Sequence, residues 1–300
     1  MPITLDTLKP LQGEVRKVLV TGGSGFIGQH VAEELFERGM DPVIYDRQRR
    51  ADPVFETILG DIRDGDSVTE AVAHVDAVIH LAGVLGTQET IDNPRPAAAT
   101  NVLGGLNVFQ AVRQYKVPAV YICVGNHWME NSYSITKTAA ERFARMFNQE
   151  HGTQIAIMRV LNAYGPGQGL PYPWGPSKVR KIMPTFIAQA LSGQPISVYG
   201  DGTQVMDMVY VEDVARGLVD GLTADHTVTH EIGTGRATTV NEIAETILSI
   251  VGGGTIEHVP MRRGEPPKST VLAASPHPAA TTTLEDGTKH AVDYFGEILG

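Results

Sequence analysis

Short apolar runs alternate with longer amphipathic segments through the first half of the chain. Six runs rich in Val, Ile and Leu have the length of strands, and segments between them carry apolar residues at helical spacing. The predicted strands are 18–20, 43–45, 56–59, 77–81, 119–123 and 155–160, and the predicted helices are 26–38, 67–73, 95–115 and 134–150. Strands that alternate with helices predict an α/β, Rossmann-type fold, in which a doubly wound parallel sheet has helices on both faces.

The pattern changes after residue 164. A loop rich in Gly and Pro is predicted first, because these residues interrupt regular structure. It covers residues 165–176 and is followed by predicted helices at 178–192, 240–251 and 284–299 and by short sheet-like runs at 196–199 and 209–211. We therefore predict two interlaced units. The larger contains residues 15–164 with about 207–236, and the smaller C-terminal α/β unit contains 165–206 and 237–300.

Charge and composition exclude several classes of protein. The chain has 300 residues, a formal net charge of −10 and one Cys. The negative charge argues against nucleic-acid binding, which needs clustered Lys and Arg. No apolar run reaches the ~20 residues of a membrane helix, and the first residues lack the apolar segment of a secretory signal. We therefore expect a cytoplasmic protein that binds neither nucleic acid nor membrane and, without Cys clusters or spaced His ligands, no metal.

A glycine-rich turn follows the first predicted strand. Gly22, Gly25 and Gly28 are spaced three apart, and Phe26 and Ile27 open the helix that follows. Glycines at such a turn let the backbone approach a pyrophosphate, and the helix N-terminus offers unpaired N–H groups to it. The strand–turn–helix context makes this a predicted dinucleotide site, and it assigns the larger unit to the dinucleotide and the smaller one to a substrate.

The second predicted strand ends at Asp46, eighteen residues beyond Gly28. A carboxylate there can accept hydrogen bonds from the adenosine ribose and repels a 2′-phosphate, which favours NAD over NADP. Arg47 is adjacent and could instead pair with a 2′-phosphate. The position of the carboxylate leads us to predict NAD.

Tyr133 and Lys137 form a candidate catalytic pair at the start of the helix after the fifth strand. Four residues apart, they lie on one helix face. An ammonium group near a phenol lowers the pKa of the phenol, because positive charge favours the phenolate. A phenolate at Tyr133 can take a proton from a hydroxyl while hydride leaves the same carbon.

These motifs together resemble the extended short-chain dehydrogenase/reductase family, the NAD-dependent nucleotide-sugar epimerases and dehydratases typified by UDP-galactose 4-epimerase. The matching segments are 21–28, 60–64, 80–83, 101–104, 133–137, 159–166, 198–202, 210–214 and 262–265. The resemblance implies further contacts with the cofactor from Asp61, Ile62, Leu81, Ala82, Gly83 and Asn101. It implies contacts with a nucleotide-diphosphate sugar from Asn162, Val198, Tyr199 and Arg262. It also implies a homodimer formed through the helices at about 96–114 and 134–150.

The chain departs from the family pattern at two places in the expected cleft. The family has a Ser or Thr just past the fifth strand, where this chain has Gly125 and where a shortened loop follows. Asn126 or His127 could take the place of that hydroxyl. The family often has an Arg for the diphosphate where this chain has Met206, so that Arg262, or a basic residue near 180, would carry more of that role.

The predicted activity is epimerisation of a nucleotide-diphosphate sugar through a transient 4-keto intermediate, with Tyr133 as base. A sugar 4,6-dehydratase or a keto-sugar epimerase/reductase is an alternative, although Asn126 cannot donate a proton as the acid of a dehydratase would. A non-catalytic protein that senses NAD(P) is a further alternative, which the intact pair of Tyr133 and Lys137 disfavours.

Overall fold

The computed structural model describes residues 15–50, 54–86, 88–261 and 272–300. The strands are β1 Lys17–Thr21, β2 Asp41–Asp46, β3 Glu56–Leu59, β4 Ala77–His80, β5 Ala119–Val124, β6 Ile155–Val160, β7 Asn162–Tyr164, β8 Ile196–Tyr199, β9 Val205–Met206, β10 Met208–Tyr210, β11 Thr229–Ile232, β12 Thr238–Thr239 and β13 Ile256–Val259. The helices are α1 Phe26–Glu37, α2 Gly65–Val72, α3 Arg95–Ala97, α4 Gly105–Tyr115, α5 Ser132–His151, α6 Ile182–Leu191, α7 Val211–Asp220, α8 Val240–Val251 and α9 Leu284–Leu299, and a π-helical turn, Ala98–Gly104, joins α3 to α4.

Seven strands form one parallel sheet in the order β11-β6-β5-β4-β1-β2-β3. This confirms the predicted fold and all six predicted strands, and it adds β11 at an edge. Both faces of the sheet are covered, and successive residues of β1 show how. Val18 and Val20 pack into a core with α1 and α7, whereas Leu19 packs on the opposite face with α2, α4 and α5. Neighbouring side chains of a strand point to opposite faces, so a strand buried on both faces has a continuous apolar run.

A third core lies in the C-terminal part of the chain, where α6, α8 and α9 pack together with β8. The predicted helix at 178–192 is shorter in the structure, because α6 begins at Ile182. Pro184 explains the difference. It has no N–H group, so it is tolerated in the first turn of α6 but would break a hydrogen bond inside a helix that began at 178.

The carboxyl ends of the central strands place the predicted site residues along one edge of the sheet. β1 runs into the glycine turn, β2 ends at Asp46, β4 ends at His80, and β5 leads through Gly125 to α5. Ligands of open α/β sheets bind outside this edge. Within the described ranges no helix is long and apolar enough to cross a membrane, and no three His, Cys, Asp or Glu side chains could share a metal ion.

Candidate active site

The glycine turn leaves no room for side chains. Gly22 has φ +74°, and a Cβ there would lie 2.8 Å from the Ala82 backbone. A Cβ on Gly28 would lie 2.4 Å from the Gly22 carbonyl oxygen. The turn is therefore held against the end of β4, and no side chain caps the first turn of α1. Backbone N–H groups at such an end fit the pyrophosphate of a dinucleotide.

The Asp46 carboxylate is tied to this turn. Its Oδ2 accepts a hydrogen bond from the Ser24 backbone N–H at 3.1 Å, and its Oδ1 accepts one from Gln48 at 3.2 Å. Its place at the end of β2 suits an adenosine ribose. The exposed Arg47 follows it. Contacts of Asp46 and Arg47 with the cofactor stay predictions.

The other residues predicted to contact the cofactor follow the ends of β3 and β4 or begin α1. Ile62 is buried and lies against the π-helical turn at Gly104, while Asp61 is paired with Arg63. The hydrogen bonds from Arg63 hold the pKa of the Asp61 carboxyl below its usual range.

Leu81 and Ala82 are partly buried against opposite faces of the sheet. Phe26 and Ile27 lie in the first turn of α1, where Ile27 packs on the core and the Phe26 ring stands edge-on to His30.

Asn101 braces the site in the structure. Its Oδ1 accepts a hydrogen bond from the Val84 N–H at 2.7 Å, and its Nδ2 donates to the Val84 carbonyl and to Thr136 Oγ1. It thereby joins the segment after β4, which includes Gly83, to the helix of Tyr133 and Lys137. The π-helical turn that presents Asn101 is a geometry that recurs at functional sites. Sequence periodicity does not predict such a turn.

Lys137 is deeply buried. Only 3% of it is exposed, and its ammonium Nζ lies 4.3 Å from the centre of the Tyr121 ring. Tyr121 also donates a hydrogen bond to the Lys137 carbonyl at 3.0 Å. One side chain of β5 therefore contacts both the backbone and the ammonium group of Lys137. Burial lowers the pKa of Lys137 to about 8. Sequence reasoning missed Tyr121.

Tyr133 lies one turn before Lys137, partly buried at the start of α5. Asn131 caps this helix by accepting a hydrogen bond from the Ser134 N–H at 2.9 Å. The expected lowering of the Tyr133 pKa is not seen in this structure. Burial is the largest influence and raises the pKa of the phenol, because it penalises the charged form.

His80 is the last residue of β4 and is buried near Lys137. Its Nδ1 lies 2.7 Å from Thr21 Oγ1, and its ring stacks on Tyr121 with 5.6 Å between centres. Burial, followed by the charge of Lys137, lowers the pKa of His80 to about 3, so the ring is neutral. The dinucleotide turn, the neutral His80 and the buried ammonium thus form one contiguous site at the ends of β1, β4 and β5.

Comparison with known proteins identifies the family of this chain. Residues 18–233 match the model of the NAD dependent epimerase/dehydratase family. The chain belongs to this family. The match confirms the resemblance predicted from the sequence motifs, and it confirms NAD as the cofactor.

Similar proteins span several reactions of the family. A putative UDP-glucose 4-epimerase of Methanocaldococcus jannaschii is 32% identical over 78% of this chain and 82% of its own. A UDP-N-acetyl-alpha-D-glucosaminuronate decarboxylase of Bacillus cytotoxicus is 28% identical over 94% and 98%. The crystal structure of a UDP-glucose 4-epimerase from Thermotoga maritima with UDP-glucose superposes with a TM-score of 0.83, at 27% identity over 95% and 100%. The chain is thus a member of a family of epimerases, dehydratases and decarboxylases of nucleotide sugars.

The structure accounts for one departure from the pattern of this epimerase/dehydratase family. A Cβ on Gly125 would lie 2.5 Å from Leu161 Cδ1 and 3.1 Å from the Val160 carbonyl oxygen. The Gly125 N–H also donates to that carbonyl at 2.9 Å, so the residue continues the pairing of β5 with β6. A Ser or Thr at this position would displace the Leu161 side chain and crowd the last carbonyl of β6.

His127 follows directly in the loop toward α5. Its Nδ1 lies 3.0 Å from the Gly125 carbonyl oxygen. A carbonyl only accepts hydrogen bonds, so Nδ1 carries the proton and Nε2 of a neutral ring is left as the acceptor. Asn126 is partly buried beside it, and its backbone carbonyl accepts a hydrogen bond from the Met129 N–H.

The residues predicted to contact the substrate lie in two places. Asn162 begins β7 next to β10, and its Nδ2 donates to the Asp207 carbonyl at 3.2 Å. Val198 and Tyr199 lie in β8, where the Val198 side chain is fully buried in the third core, so only its backbone could contact a nucleotide. Arg262 lies outside the described residues. Met206 pairs with Thr238 in a short antiparallel ladder.

Proposed function

We propose that this member of the family is an NAD-dependent 4-epimerase of a nucleotide-diphosphate sugar. The observation that carries the proposal is the common helix face of Tyr133 and Lys137 beside the dinucleotide turn. That pair suits transfer of a proton from a hydroxyl whose carbon also loses hydride. The similarity to UDP-glucose 4-epimerases supports it.

Tyr133 accepts the proton of the sugar 4-hydroxyl as C4 loses hydride, so that C4 becomes the carbon of a ketone. When bound, NAD supplies the acceptor and donor of hydride and a positive ring that favours the phenolate. Lys137 binds the nicotinamide ribose, and its positive charge lowers the pKa of Tyr133 against the effect of burial. The 4-keto sugar turns, C4 takes hydride back on its other face, and Tyr133 returns its proton to the oxygen, which gives the hydroxyl the inverted configuration.

The substrate side of the cleft is assigned by residue chemistry. Asn162 and Arg262 bind the diphosphate, and the strand at Val198 and Tyr199 contacts the nucleotide. Arg180, whose guanidinium reaches the Tyr172 carbonyl at 3.5 Å, and Lys181 at the start of α6 supply charge that Met206 lacks. The positive charge of the proposed substrate site therefore comes from Arg180, Lys181 and Arg262, since residue 206 is a Met.

His127 is the residue we propose in place of the hydroxyl missing at Gly125. Its Nε2 is free to accept a proton from the sugar hydroxyl when the ring is neutral, and to donate one when it is charged. Asn126 offers an amide donor from the same loop. An acid/base His also suits a dehydratase or a keto-sugar epimerase/reductase, which are the second candidates.

The organisation of the molecule is part of the proposal. Residues 15–164 with about 207–236 bind NAD, and residues 165–206 with 237–300, which contain the third core, bind the sugar nucleotide. We further propose that the protein is a cytoplasmic homodimer. An exposed apolar stripe of Ile135, Phe143 and Met146 on α5, together with the exposed Leu103 of the π-helical turn that packs on α5, supports pairing of two copies.

Product analysis tests the activity. Purified protein is incubated with UDP-, dTDP- and GDP-sugars, including uronic acids, and the products are separated and weighed by mass spectrometry. We expect one sugar nucleotide to give a new peak of unchanged mass. Loss of water would indicate a dehydratase and loss of carbon dioxide a decarboxylase. No product from any sugar, despite bound NAD, would favour the NAD(P)-sensing alternative.

A further inference from the structure

Glu141 lies one turn beyond Lys137 on α5, so Tyr133, Lys137 and Glu141 follow each other at intervals of four residues. Four-residue spacing places the three side chains on one face of the helix, called here the catalytic face. Only 2% of Glu141 is exposed. An ionised carboxylate is costly to bury unless cations and hydrogen bonds compensate for the lost water.

Arg159 of β6 provides that compensation. Its Nε donates to Glu141 Oε2 at 3.0 Å and its Nη2 to Oε1 at 2.8 Å. Burial raises the pKa of Glu141, but the hydrogen bonds from Arg159 and Arg145 outweigh it and hold the pKa below its usual range. The carboxylate is therefore ionised. Two parallel hydrogen bonds from a planar guanidinium fix the orientation of the pair as well as its distance.

The pair connects the two halves of the proposed reaction. Arg159 lies opposite Cys123 in the pairing of β5 with β6, directly below the catalytic face. Three residues later the same chain segment reaches Asn162 on the substrate side. We propose that Glu141 and Arg159 are positioning residues that fix the catalytic face of α5 relative to the strand that leads to the substrate. The kinetic part of this inference rests on the proposed epimerase function.

Arg145 offers a matched control. It also donates to Glu141, with Nη2 2.6 Å from Oε1, and it bonds Thr229 Oγ1 at 2.6 Å. Its side chain is 48% exposed, compared with 17% for Arg159. Loss of Arg145 leaves the paired hydrogen bonds between Arg159 and Glu141 intact. Comparing the two arginine variants therefore distinguishes the effect of losing a positive charge near Glu141 from the effect of losing the paired hydrogen bonds.

The test compares Arg159→Met and Glu141→Gln with the Arg145→Met control and with Arg159→Lys. Hydrogen exchange of residues 132–138 is measured by mass spectrometry in the NAD-bound protein, at a temperature where circular dichroism shows every variant folded. We expect faster exchange in Arg159→Met and Glu141→Gln and exchange like the wild type in Arg145→Met. Arg159→Lys keeps the charge without the planar fork, so we expect an intermediate rate.

The kinetic measurement uses the same four variants. In Arg159→Met and Glu141→Gln we expect kcat to fall by roughly ten- to a hundredfold with little change in KM, because small displacements of catalytic groups have effects of that size. A purely structural pair would lower the unfolding temperature and leave kcat of the folded protein unchanged. Wild-type kcat and exchange in folded Arg159→Met, or equal losses in Arg145→Met, would overturn the positioning role. The exchange measurement needs no substrate, so absence of turnover in the wild type would refute the proposed function alone.

Discussion

In the structure, burial and then the thiol of Cys123 raise the pKa of the Tyr133 phenol. A phenolate at this position therefore needs a positive charge nearby, which favours the ionised form. Lys137, on the same helix face, is proposed to supply that charge, and burial brings its own pKa to about 8. The ammonium is thus mostly charged at neutral pH, held over the ring of Tyr121.

Replacement of Tyr133 by Phe removes the proton acceptor and keeps the ring. We expect kcat to fall by about a hundred- to ten-thousandfold, the usual contribution of a positioned acid/base group. The amount of NAD that copurifies with the protein serves as the control and should stay close to that of the wild type. Full activity of Tyr133→Phe would show that another residue transfers the proton.

His127 and Asn126 are distinguished by single substitutions. If His127 replaces the hydroxyl missing at Gly125, His127→Ala should lower kcat by about a hundredfold, while Asn126→Ala should have a smaller effect. The rates of sugar interconversion measure both variants. Turnover near that of the wild type in both would remove this loop from the mechanism.

At the scale of elements, the sequence predicts best what local patterns determine. The bounds of β3, β6, β8, α8 and α9 agree with the sequence analysis because apolar periodicity and capping residues define them. Thr239, for example, caps α8 by accepting the Glu242 N–H. Local patterns failed where one run contains two elements. Residues 209–211 were predicted as sheet-like, yet the strand ends at Tyr210 and α7 begins at Val211.

In the candidate site, too, the sequence reveals the short motifs but not the contacts between distant segments. The glycine turn and the pair of Tyr133 and Lys137 are short motifs, so the sequence alone reveals them. The ring of Tyr121 beneath Lys137 and the buried pair of Glu141 and Arg159 depend on the alignment of β5, β6 and α5. The four-residue spacing that continues from Lys137 to Glu141 is the one signal that could have indicated the latter.

The glycine turn gives a prediction at this scale. Gly28→Ala places a Cβ 2.4 Å from the Gly22 carbonyl oxygen, so the turn must move away from the geometry proposed to bind the pyrophosphate. We expect most NAD binding to be lost, as measured by calorimetry. Gly296→Ala in α9 is the control, because its Cβ would meet nothing within 4 Å. It should bind NAD normally and be more stable by up to about 1 kcal/mol, since Ala favours helices over Gly. Normal NAD binding by Gly28→Ala would contradict the assigned turn.

At the scale of the molecule, α5 has two different faces. One carries Tyr133 and Lys137 toward the sheet, and the other exposes Ile135, Phe143 and Met146. Exposed apolar groups arranged as a stripe indicate an interaction surface. Pairing of two copies through this stripe and the neighbouring helix would bury it and would stiffen the helix that carries the catalytic pair.

A charge in the stripe tests the dimer. Phe143→Glu should convert the proposed dimer to a monomer, because an unpaired carboxylate would otherwise be buried in the interface. Phe36, which is 63% exposed on α1, gives the matched control Phe36→Glu, which should remain dimeric. Light scattering after size-exclusion chromatography measures both masses. A monomeric wild type, or a dimeric Phe143→Glu, would contradict this interface.

Interconversion from both directions tests the central claim most directly. The sugar nucleotide found active and its C4 epimer are incubated separately with the enzyme, and the mixtures are followed by chromatography and mass spectrometry. We predict that both reach the same equilibrium ratio with no change in mass, and that Tyr133→Phe slows both directions equally. A product of lower mass would contradict the assignment as a 4-epimerase. So would two mixtures that settle at different ratios of the epimers.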